Sequence, residues 1–206
     1  MSDLLLPPIP TFVVWDDAFT PAELASLIAF GDGLTAETAT LKTGSPDDAI
    51  RKDIRITQTA WIAPSPQSQW IYDRVQRVAR ALNDRSYQFD LRGFSENLQY
   101  TIYNGTEGGH YDWHVDHGPL KVQRKLSISV QLSDPSDYDG CNLEFQAGNK
   151  IETAPRNLGA VVAFPSYVLH RVTPCTRARA RRWWPGQPGP SSDERTQDGT
   201  CRNRRT

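Results

Sequence analysis

Cysteine is scarce in this sequence, and its three cysteines, Cys141, Cys175 and Cys201, show neither CxxC nor CxxH spacing. An odd set without such spacing indicates neither a disulfide framework nor a zinc ribbon. Because stable disulfides belong to oxidising compartments, this usage favours a reduced, cytoplasmic setting.

Long hydrophobic runs are also missing. Residues 1–12 hold three consecutive leucines before a proline pair and no basic region, so we expect no signal peptide. No stretch approaches the roughly 20 apolar residues of a membrane span, and we therefore expect no membrane partner. With 206 residues the chain can bury one sizeable core, which predicts a single domain.

A strong net charge is absent as well, since the formal charge is −1. That balance hides an asymmetry: eight of the 18 arginines lie in residues 177–206, whereas residues 1–176 hold 15 Lys+Arg against 21 Asp+Glu. An acidic body argues against a nucleic-acid-binding face on the folded part.

The first 86 residues predict two helices that support a β-rich core. One begins at Thr20, with Pro21 at the first helical position and Glu23 completing a capping box. The second follows from the helical spacing of apolar residues over 66–84. Short β-branched and aromatic runs predict strands at 12–19 and 54–62.

From residue 87 the pattern changes to strands separated by turn-rich segments. The predicted strands are 87–94, 96–103, 125–132, 141–146, 159–165 and 166–172. Helices followed by a run of antiparallel strands predict an α+β fold that is mostly β, with a double-sheet core and helices on one face. We assign the helical support to 1–86 and the core to 87–176, within one domain.

Histidine is rare too, and three of the four histidines lie in one segment, GHYDWHVDHG. His114 and Asp116 are two residues apart, so on a strand both side chains leave from the same face and can share a metal ion. His170 is the only histidine outside this segment. Two imidazoles and one carboxylate on one face of an octahedral ion leave three positions open, which is typical of non-haem Fe(II) oxygenases.

Each of these features has an alternative interpretation. An isolated His-x-Asp pair is a weak signal, and a lone histidine such as His170 is more often a structural residue. His110, His114 and His117 have helical spacing and are competing ligands for a zinc site. The surrounding glycines and proline make that segment a poor helix, so zinc ranks below iron.

The chain resembles the Fe(II)/2-oxoglutarate-dependent dioxygenases of the prolyl-hydroxylase-like superfamily, close to the PKHD-type hydroxylases. The resemblance lies in three ordered motifs over about residues 95–176: QYTIYNGTEGGHYDWHVDHG, RKLSISVQLSDPSDYDGCNLEF and GAVVAFPSYVLHRVTP. It implies a double-stranded β-helix, or jelly-roll, core in which His114, Asp116 and His170 bind iron.

The resemblance also implies a reaction and its cofactors. Fe(II) is the implied metal, 2-oxoglutarate and O2 are the co-substrates, and ascorbate is a further cofactor. The implied activity is hydroxylation of an unactivated C–H bond in a peptidyl or free amino acid or a small metabolite, with 2-oxoglutarate decarboxylated to succinate. Tyr103 and Gln131 are candidate contacts of 2-oxoglutarate; alternatively, Tyr103 packs in the barrel mouth and Gln131 faces solvent.

The ending departs from the family pattern. Such chains continue with VTxGxRxSLVxWxxGP, which places an arginine for 2-oxoglutarate ten residues after the distal histidine. Here that position is Ala180, flanked by Arg179 and Arg181 as candidate substitutes. On a strand, these two arginines point to the face opposite residue 180. A second interpretation is therefore a catalytically impaired jelly-roll protein that only binds metal.

Residues 177–206 have three prolines, few apolar residues and no strand alternation, which predicts a basic, disordered tail. A frameshift offers an explanation. When the third base of each codon is joined to the first two of the next, Trp183-Trp184 must give Val and Trp184-Pro185 must give Ala, which agrees with the valine, followed by any residue, of the family pattern. We therefore hypothesise a frameshift near Arg177, which predicts a lost or altered last core strand.

Overall fold

The computed structural model describes residues 9–39, 53–94, 96–116 and 124–184, together with the backbone of 186–188. Two α-helices lie in these ranges, α1 (Pro21–Asp32) and α2 (Gln69–Ser86). No helix in the described ranges has the length and apolar character needed to cross a membrane.

Helix α1 begins where the sequence predicts. The Thr20 hydroxyl accepts a hydrogen bond from the Glu23 backbone N–H at 3.2 Å, and the Glu23 carboxylate accepts one from the Thr20 N–H at 2.8 Å. This capping box satisfies two backbone donors that the first turn leaves free. Arg74 of α2 reaches the same carboxylate at 2.8 Å, so the cap also links the two helices.

The described strands, in chain order, are β1 (Val13–Trp15), β2 (Glu37–Thr38), β3 (Arg55–Ile56), β4 (Gln58–Ile62), β5 (Leu98–Asn104), β6 (His110–His114), β7 (Arg124–Gln131), β8 (Asp139–Gly140), β9 (Leu143–Ala147), β10 (Lys150–Thr153), β11 (Val161–Pro165), β12 (His170–Val172), β13 (Cys175–Arg177), β14 (Arg179–Trp184) and β15 (Gly186–Pro188). Their pairings are all antiparallel. The predicted β-rich core is confirmed.

Two sheets form the core. The larger runs β1-β11-β7-β14-β5-β4-β2, with β15 also pairing with β7, and the smaller runs β10-β9-β12-β6-β3. β13 and β8 form a separate two-stranded sheet. The eight-stranded sheet has an apolar cluster on each face. The outer cluster joins it to the helices and includes Leu27, Val75 and Trp183, and the inner cluster joins it to the smaller sheet and includes Phe145 and Phe164.

The strand predicted over 87–94 is wrong, because no strand forms there. This segment instead closes α2. The Asn83 side-chain amide donates to the Phe89 carbonyl and its oxygen accepts from the Phe89 N–H, at 2.9 and 3.0 Å. The Tyr87 and Phe89 rings stack with centroids 5.5 Å apart. Their aromatic character reflects packing against the outer cluster, which local pattern does not distinguish from a strand.

The last core strand is not lost, and the prediction that the tail is disordered from residue 177 is wrong as far as Trp184; an altered last strand stays a prediction. β14 lies between β5 and β7, near the middle of the eight-stranded sheet. Ala180 and Trp183 are fully buried, one in each cluster. Tertiary pairing on both edges therefore determines the structure of a segment whose own sequence lacks strand alternation.

Strand β14 follows a strained turn at Ala178, whose φ is +54°. The left-handed region costs a residue with a Cβ about 1–2 kcal/mol relative to glycine. Ala178 is exposed, so glycine there loses little packing. We expect Ala178→Gly to raise the free energy of unfolding by about 0.5–1 kcal/mol, after the entropy that glycine adds to the unfolded chain is subtracted.

Urea denaturation measures this effect, with Ala180→Gly as the matched control. Ala180 lies inside β14 and is fully buried, so glycine there is expected to be destabilising by about 0.5–1 kcal/mol or more. Equal destabilisation by both variants would contradict the left-handed turn at Ala178.

Candidate metal centre

The smaller sheet carries the two histidines of the predicted site. His114 is the last residue of β6, and His170 is the first residue of β12. These strands pair antiparallel with His170 directly opposite His114, so both imidazoles leave the same face. Asp116 follows two residues after β6 ends and is tied to the turn before β12, because its N–H donates to the Ser166 carbonyl at 2.9 Å.

The three side chains converge on one point. Asp116 Oδ1 lies 3.7 Å from His114 Nε2 and 3.9 Å from His170 Nε2. One ligand atom from each residue lies within 4.8 Å of the others, and this is the group of described residues able to hold a metal ion. Two imidazole nitrogens and a carboxylate oxygen at such spacing suit a divalent ion with further positions left open.

Hydrogen bonds orient both imidazoles toward that point. His114 Nδ1 lies 2.7 Å from the Asp112 carbonyl, and His170 Nδ1 lies 2.9 Å from the Val168 carbonyl. A carbonyl accepts only, so each Nδ1 carries the proton and each Nε2 presents a lone pair. His170 Nε2 is buried and has no hydrogen-bond partner among the described residues. A metal ion would satisfy this atom, so the residues fit such an ion.

Asp116 is held by its other oxygen. The Ser127 hydroxyl donates to Oδ2 at 2.6 Å, and the Arg124 guanidinium lies 3.2 Å from the same oxygen. Arg124 also pairs with Glu96 at 2.6 Å. Burial alone would raise the pKa of Asp116, but the Arg124 charge and the Ser127 hydrogen bond act against this, and the pKa lies below its ordinary value. Oδ1 is therefore an anionic oxygen free to bind a cation.

The imidazole of His114 is neutral near pH 7. Burial and the neighbouring His170 lower the pKa of His114 to about 4. A neutral imidazole is the form that binds metal, so little proton competition is expected at neutral pH. The Tyr111 ring stacks on His114 with centroids 3.5 Å apart, which fixes the plane of the imidazole.

The Ser127 hydroxyl offers a test of this arrangement. We expect Ser127→Ala to weaken Fe(II) affinity by roughly 10- to 100-fold, because partners that orient a ligand typically contribute that much. Equilibrium titration of Fe(II) without co-substrate measures the change. Ser129→Ala is the matched control, because Ser129 is a buried serine two residues away in β7 whose hydroxyl has no described partner. Equal affinities in the two variants would contradict the role of Ser127.

The candidate 2-oxoglutarate contacts divide between the two faces of the large sheet. Tyr103 is buried in the inner cluster, and Gln131 is 3% exposed, so the alternative that Gln131 faces solvent is wrong. The Gln131 amide donates to the Tyr138 hydroxyl. Arg179 is exposed, and Arg181 Nε donates to Asp32 Oδ1 at 2.9 Å.

The structure therefore does not bring Arg179 or Arg181 to the metal centre. Both point away from Ala180, as strand alternation requires. The proposed substitution of either for the missing arginine is wrong for that reason.

Of the competing histidines, His110 does not join the cluster. His110 lies at the start of β6, where its Nδ1 contacts the Gly108 carbonyl at 2.9 Å. Residues 110–114 form a strand, so the helical spacing that favoured a zinc site does not bring His110 and His114 together. His117 lies outside the described residues.

Sequence reasoning missed Arg124 and Ser127, which hold the Asp116 carboxylate. Alternation in β7 gave a signal for Ser127, because serine and glutamine alternate there with leucine, isoleucine and valine. Polar residues at every second position of a buried strand indicate a polar inner surface. Nothing in the local pattern indicated that Arg124 faces inward.

The region that holds these three side chains is similar to a known protein family. The family model described as the 2OG-Fe(II) oxygenase superfamily matches residues 98–184, a stretch that includes all three converging residues and β14. Over these residues, which are fewer than half of the chain, the sequence is similar to the 2OG-Fe(II) oxygenase superfamily. Fe(II) is the metal that this superfamily implies, and 2-oxoglutarate and O2 are its implied co-substrates.

Curated proteins that are similar to this chain are PKHD-type hydroxylases. One from Pseudomonas fluorescens is 32% identical over 114 residues, which are 50% of this chain and 50% of the relative. One from Teredinibacter turnerae is 38% identical over 78 residues, which are 35% of this chain and 34% of the relative. The matched stretch thus spans half or less of the length of these relatives.

Solved structures of prolyl hydroxylases share the fold of this chain. A Pseudomonas putida prolyl-4-hydroxylase matches with a TM-score of 0.67 at 19% identity, covering 88% of this chain and 94% of that one. A Trichoplax adhaerens prolyl hydroxylase, solved in complex with a hypoxia inducible factor peptide fragment, matches with a TM-score of 0.70 at 17% identity and covers 90% and 86%. The predicted jelly-roll core is confirmed.

Proposed function

We propose that this chain is an Fe(II)- and 2-oxoglutarate-dependent hydroxylase in which His114, Asp116 and His170 bind the iron. The proposed reaction converts substrate R–H, 2-oxoglutarate and O2 to R–OH, succinate and CO2. The observation that supports it most directly is the convergence of two Nε2 atoms and one Oδ1 atom within 4.8 Å, with every other donor atom of these side chains held elsewhere.

Iron bound there would supply chelation of the 2-oxo acid and activation of O2. The residues of the chain do the positioning. His114, Asp116 and His170 would hold the ion and would leave further positions to the two co-substrates. The Arg124 charge keeps Asp116 ionised, and the carboxylate in turn balances the charge of the metal.

Aromatic rings restrict water on the inner side of the centre. Phe164 and Trp184 lie with ring centroids 4.6 and 5.9 Å from His170, and Phe145 lies at 6.1 Å. His170 itself is fully buried. Exclusion of water strengthens electrostatic interactions in the site and limits side reactions of a strong oxidant.

The substrate class belongs to the same proposal. We assign a peptidyl or free amino acid or a small metabolite, and the peptide bound to the Trichoplax adhaerens neighbour favours the peptidyl class. Ascorbate, as a reductant that keeps iron ferrous, and a cytoplasmic setting complete the proposal. A hydroxylase acting on such substrates needs neither a nucleic-acid nor a membrane partner.

An anaerobic titration of 2-oxoglutarate into the Fe(II)-loaded protein tests this function. Bidentate chelation of Fe(II) by the 2-oxo acid is expected to produce a metal-to-ligand charge-transfer band that saturates with concentration. The matched control is succinate, which lacks the 2-oxo group and is expected to give no band. Bound Fe(II) without a band would instead indicate the metal-binding protein that Ala180, in place of the family arginine, suggests as the second candidate function.

A further inference from the structure

A second buried arginine lies in β14, on the face that Arg179 and Arg181 avoid. Arg182 is opposite Thr101 of β5 and Gln131 of β7. Its neighbours two residues away on the same face are Ala180, in the inner cluster, and Trp184, packed against that cluster. Because side chains alternate along a strand, Arg182 faces the space between the two sheets, where the metal centre also lies.

The charge of Arg182 is poorly compensated. The side chain is 2% exposed, and its Nη2 donates to the Cys141 carbonyl at 2.6 Å. Its Nε has no hydrogen-bond partner, and the ion pairs identified within the described ranges do not include it. A buried guanidinium without an anion is costly, so this position suits an anionic ligand.

Two neighbouring hydroxyls are also unsatisfied. Thr101 Oγ1 and Ser129 Oγ are buried without partners among the described residues. Thr101 is directly across from Arg182, and Ser129 lies on β7 between Gln131 and the Ser127 that holds Asp116. One unsatisfied hydroxyl thus lies on β7 between the metal centre and the residue opposite Arg182, and the other lies across from Arg182 on β5, where both could bond to a ligand held by the guanidinium.

Residue 180, on the same face of β14 as Arg182, has only a methyl side chain. Ala180 is opposite Tyr103. Burial raises the pKa of the Tyr103 phenol, and the nearby Arg55 and Arg182 charges act against that rise. The Arg182 charge therefore lies near Tyr103, the phenol that faces the position where the family pattern has its arginine.

We propose that Arg182 binds the carboxylate of 2-oxoglutarate that is remote from the metal, and so replaces the arginine that is missing at Ala180. This inference rests on the proposed function. The guanidinium forms charge-assisted hydrogen bonds to that carboxylate, and the unpaired hydroxyls of Thr101 and Ser129 donate along the chain of the acid. Arg179 and Arg181 take no part.

Isothermal titration calorimetry on the Mn(II)-loaded protein tests this assignment without turnover. Two ligands are compared, 2-oxoglutarate and 2-oxopentanoate, which has a similar chain but no remote carboxylate. We expect Arg182→Gln to weaken 2-oxoglutarate binding by roughly 10- to 100-fold, the effect of losing a buried charge-assisted bond, and to leave 2-oxopentanoate binding unchanged. Arg182→Lys, which keeps the charge, is expected to recover part of the loss.

Arg179→Gln and Arg181→Gln are the matched controls and are expected to bind 2-oxoglutarate as the parent chain does. Unchanged 2-oxopentanoate binding in Arg182→Gln also reports that the variant is folded. If Arg182→Gln does not fold, the double variant Ala180→Arg/Arg182→Ser replaces it in the experiment. This variant moves the arginine to the position of the family pattern and is expected to bind 2-oxoglutarate as the parent chain does.

The possible outcomes distinguish a failure of this inference from a failure of the proposed function. Retained preference for 2-oxoglutarate in Arg182→Gln, or its loss in a control variant, would overturn the role of Arg182 alone. A parent chain that binds Mn(II) and neither acid would overturn the proposed function and this inference with it.

Discussion

Replacing His170 with alanine is expected to abolish tight Fe(II) binding. His170 is fully buried, and its Nε2 has no hydrogen-bond partner among the described residues. This atom faces the point on which His114 and Asp116 also converge. Its loss leaves two ligands, and the affinity should fall by more than the roughly 10- to 100-fold typical of a residue that only orients a ligand. Fe(II) content after anaerobic desalting and the 2-oxoglutarate charge-transfer band both measure the change.

The matched control for this variant is His110→Ala. His110 lies on the same strand as His114, but its ring contacts the Gly108 carbonyl and it is not part of the converging cluster. We expect normal Fe(II) content in this control. Stoichiometric iron in His170→Ala would contradict the assigned metal centre, and loss of iron in His110→Ala would reopen the alternative set of ligands.

Replacing Trp183 with alanine is expected to lower the free energy of unfolding by about 3–5 kcal/mol, the typical cost of removing a buried tryptophan. Trp183 is fully buried in the outer cluster and stands opposite Tyr100 and Val130 on the two neighbouring strands. Its side chain thus helps to join β5 and β7 across β14. The midpoint and slope of urea denaturation measure the loss.

Trp61→Ala provides the matched control, because it makes the same chemical change on β4, where the side chain is 49% exposed. We expect a change of no more than about 1 kcal/mol there, as is usual for exposed positions. Small losses in both variants would show that residues 179–184 lie outside the core and would restore the interpretation of this segment as a disordered tail.

The sequence was most informative where local pattern and tertiary environment agree. The capping box at Thr20 and Glu23 is a local interaction, and it formed where predicted. The pair His114 and Asp116 also follows from spacing alone, whereas the register that places His170 opposite His114 depends on strand pairing. Only the ordered motifs of the family resemblance indicated that pairing in advance.

The ending was least predictable, because its residues are specified by neighbours distant in sequence. Arg181 is compatible with a strand since it meets Asp32 at the end of α1. Arg182 is compatible with burial because its guanidinium donates a hydrogen bond to the Cys141 carbonyl. In the amino-acid composition, both arginines appear only as charged residues. The composition therefore predicted disorder for residues 179–184, although this segment pairs with β5 on one side and β7 on the other.

The frameshift hypothesis concerns the gene and stays a prediction. Ala178 adopts a left-handed conformation two residues before Ala180, where the family pattern has glycine. Such a backbone suits glycine, which is consistent with a shift that changed the residue while the turn persisted. Sequencing the coding region tests this: an alternate frame that does not encode the family strand would exclude it.

The position of β14 also has a consequence for synthesis of the protein. In the eight-stranded sheet, β14 is the strand that joins β1, β11 and β7 to β5, β4 and β2. It follows all six of them in the chain, so a nascent polypeptide on the ribosome holds two half-sheets with unpaired edges until residues 179–184 emerge. Exposed strand edges are prone to association with other chains. A ribosome stalled before these residues would therefore present an aggregation-prone intermediate, and chaperone contacts should end when β14 is released.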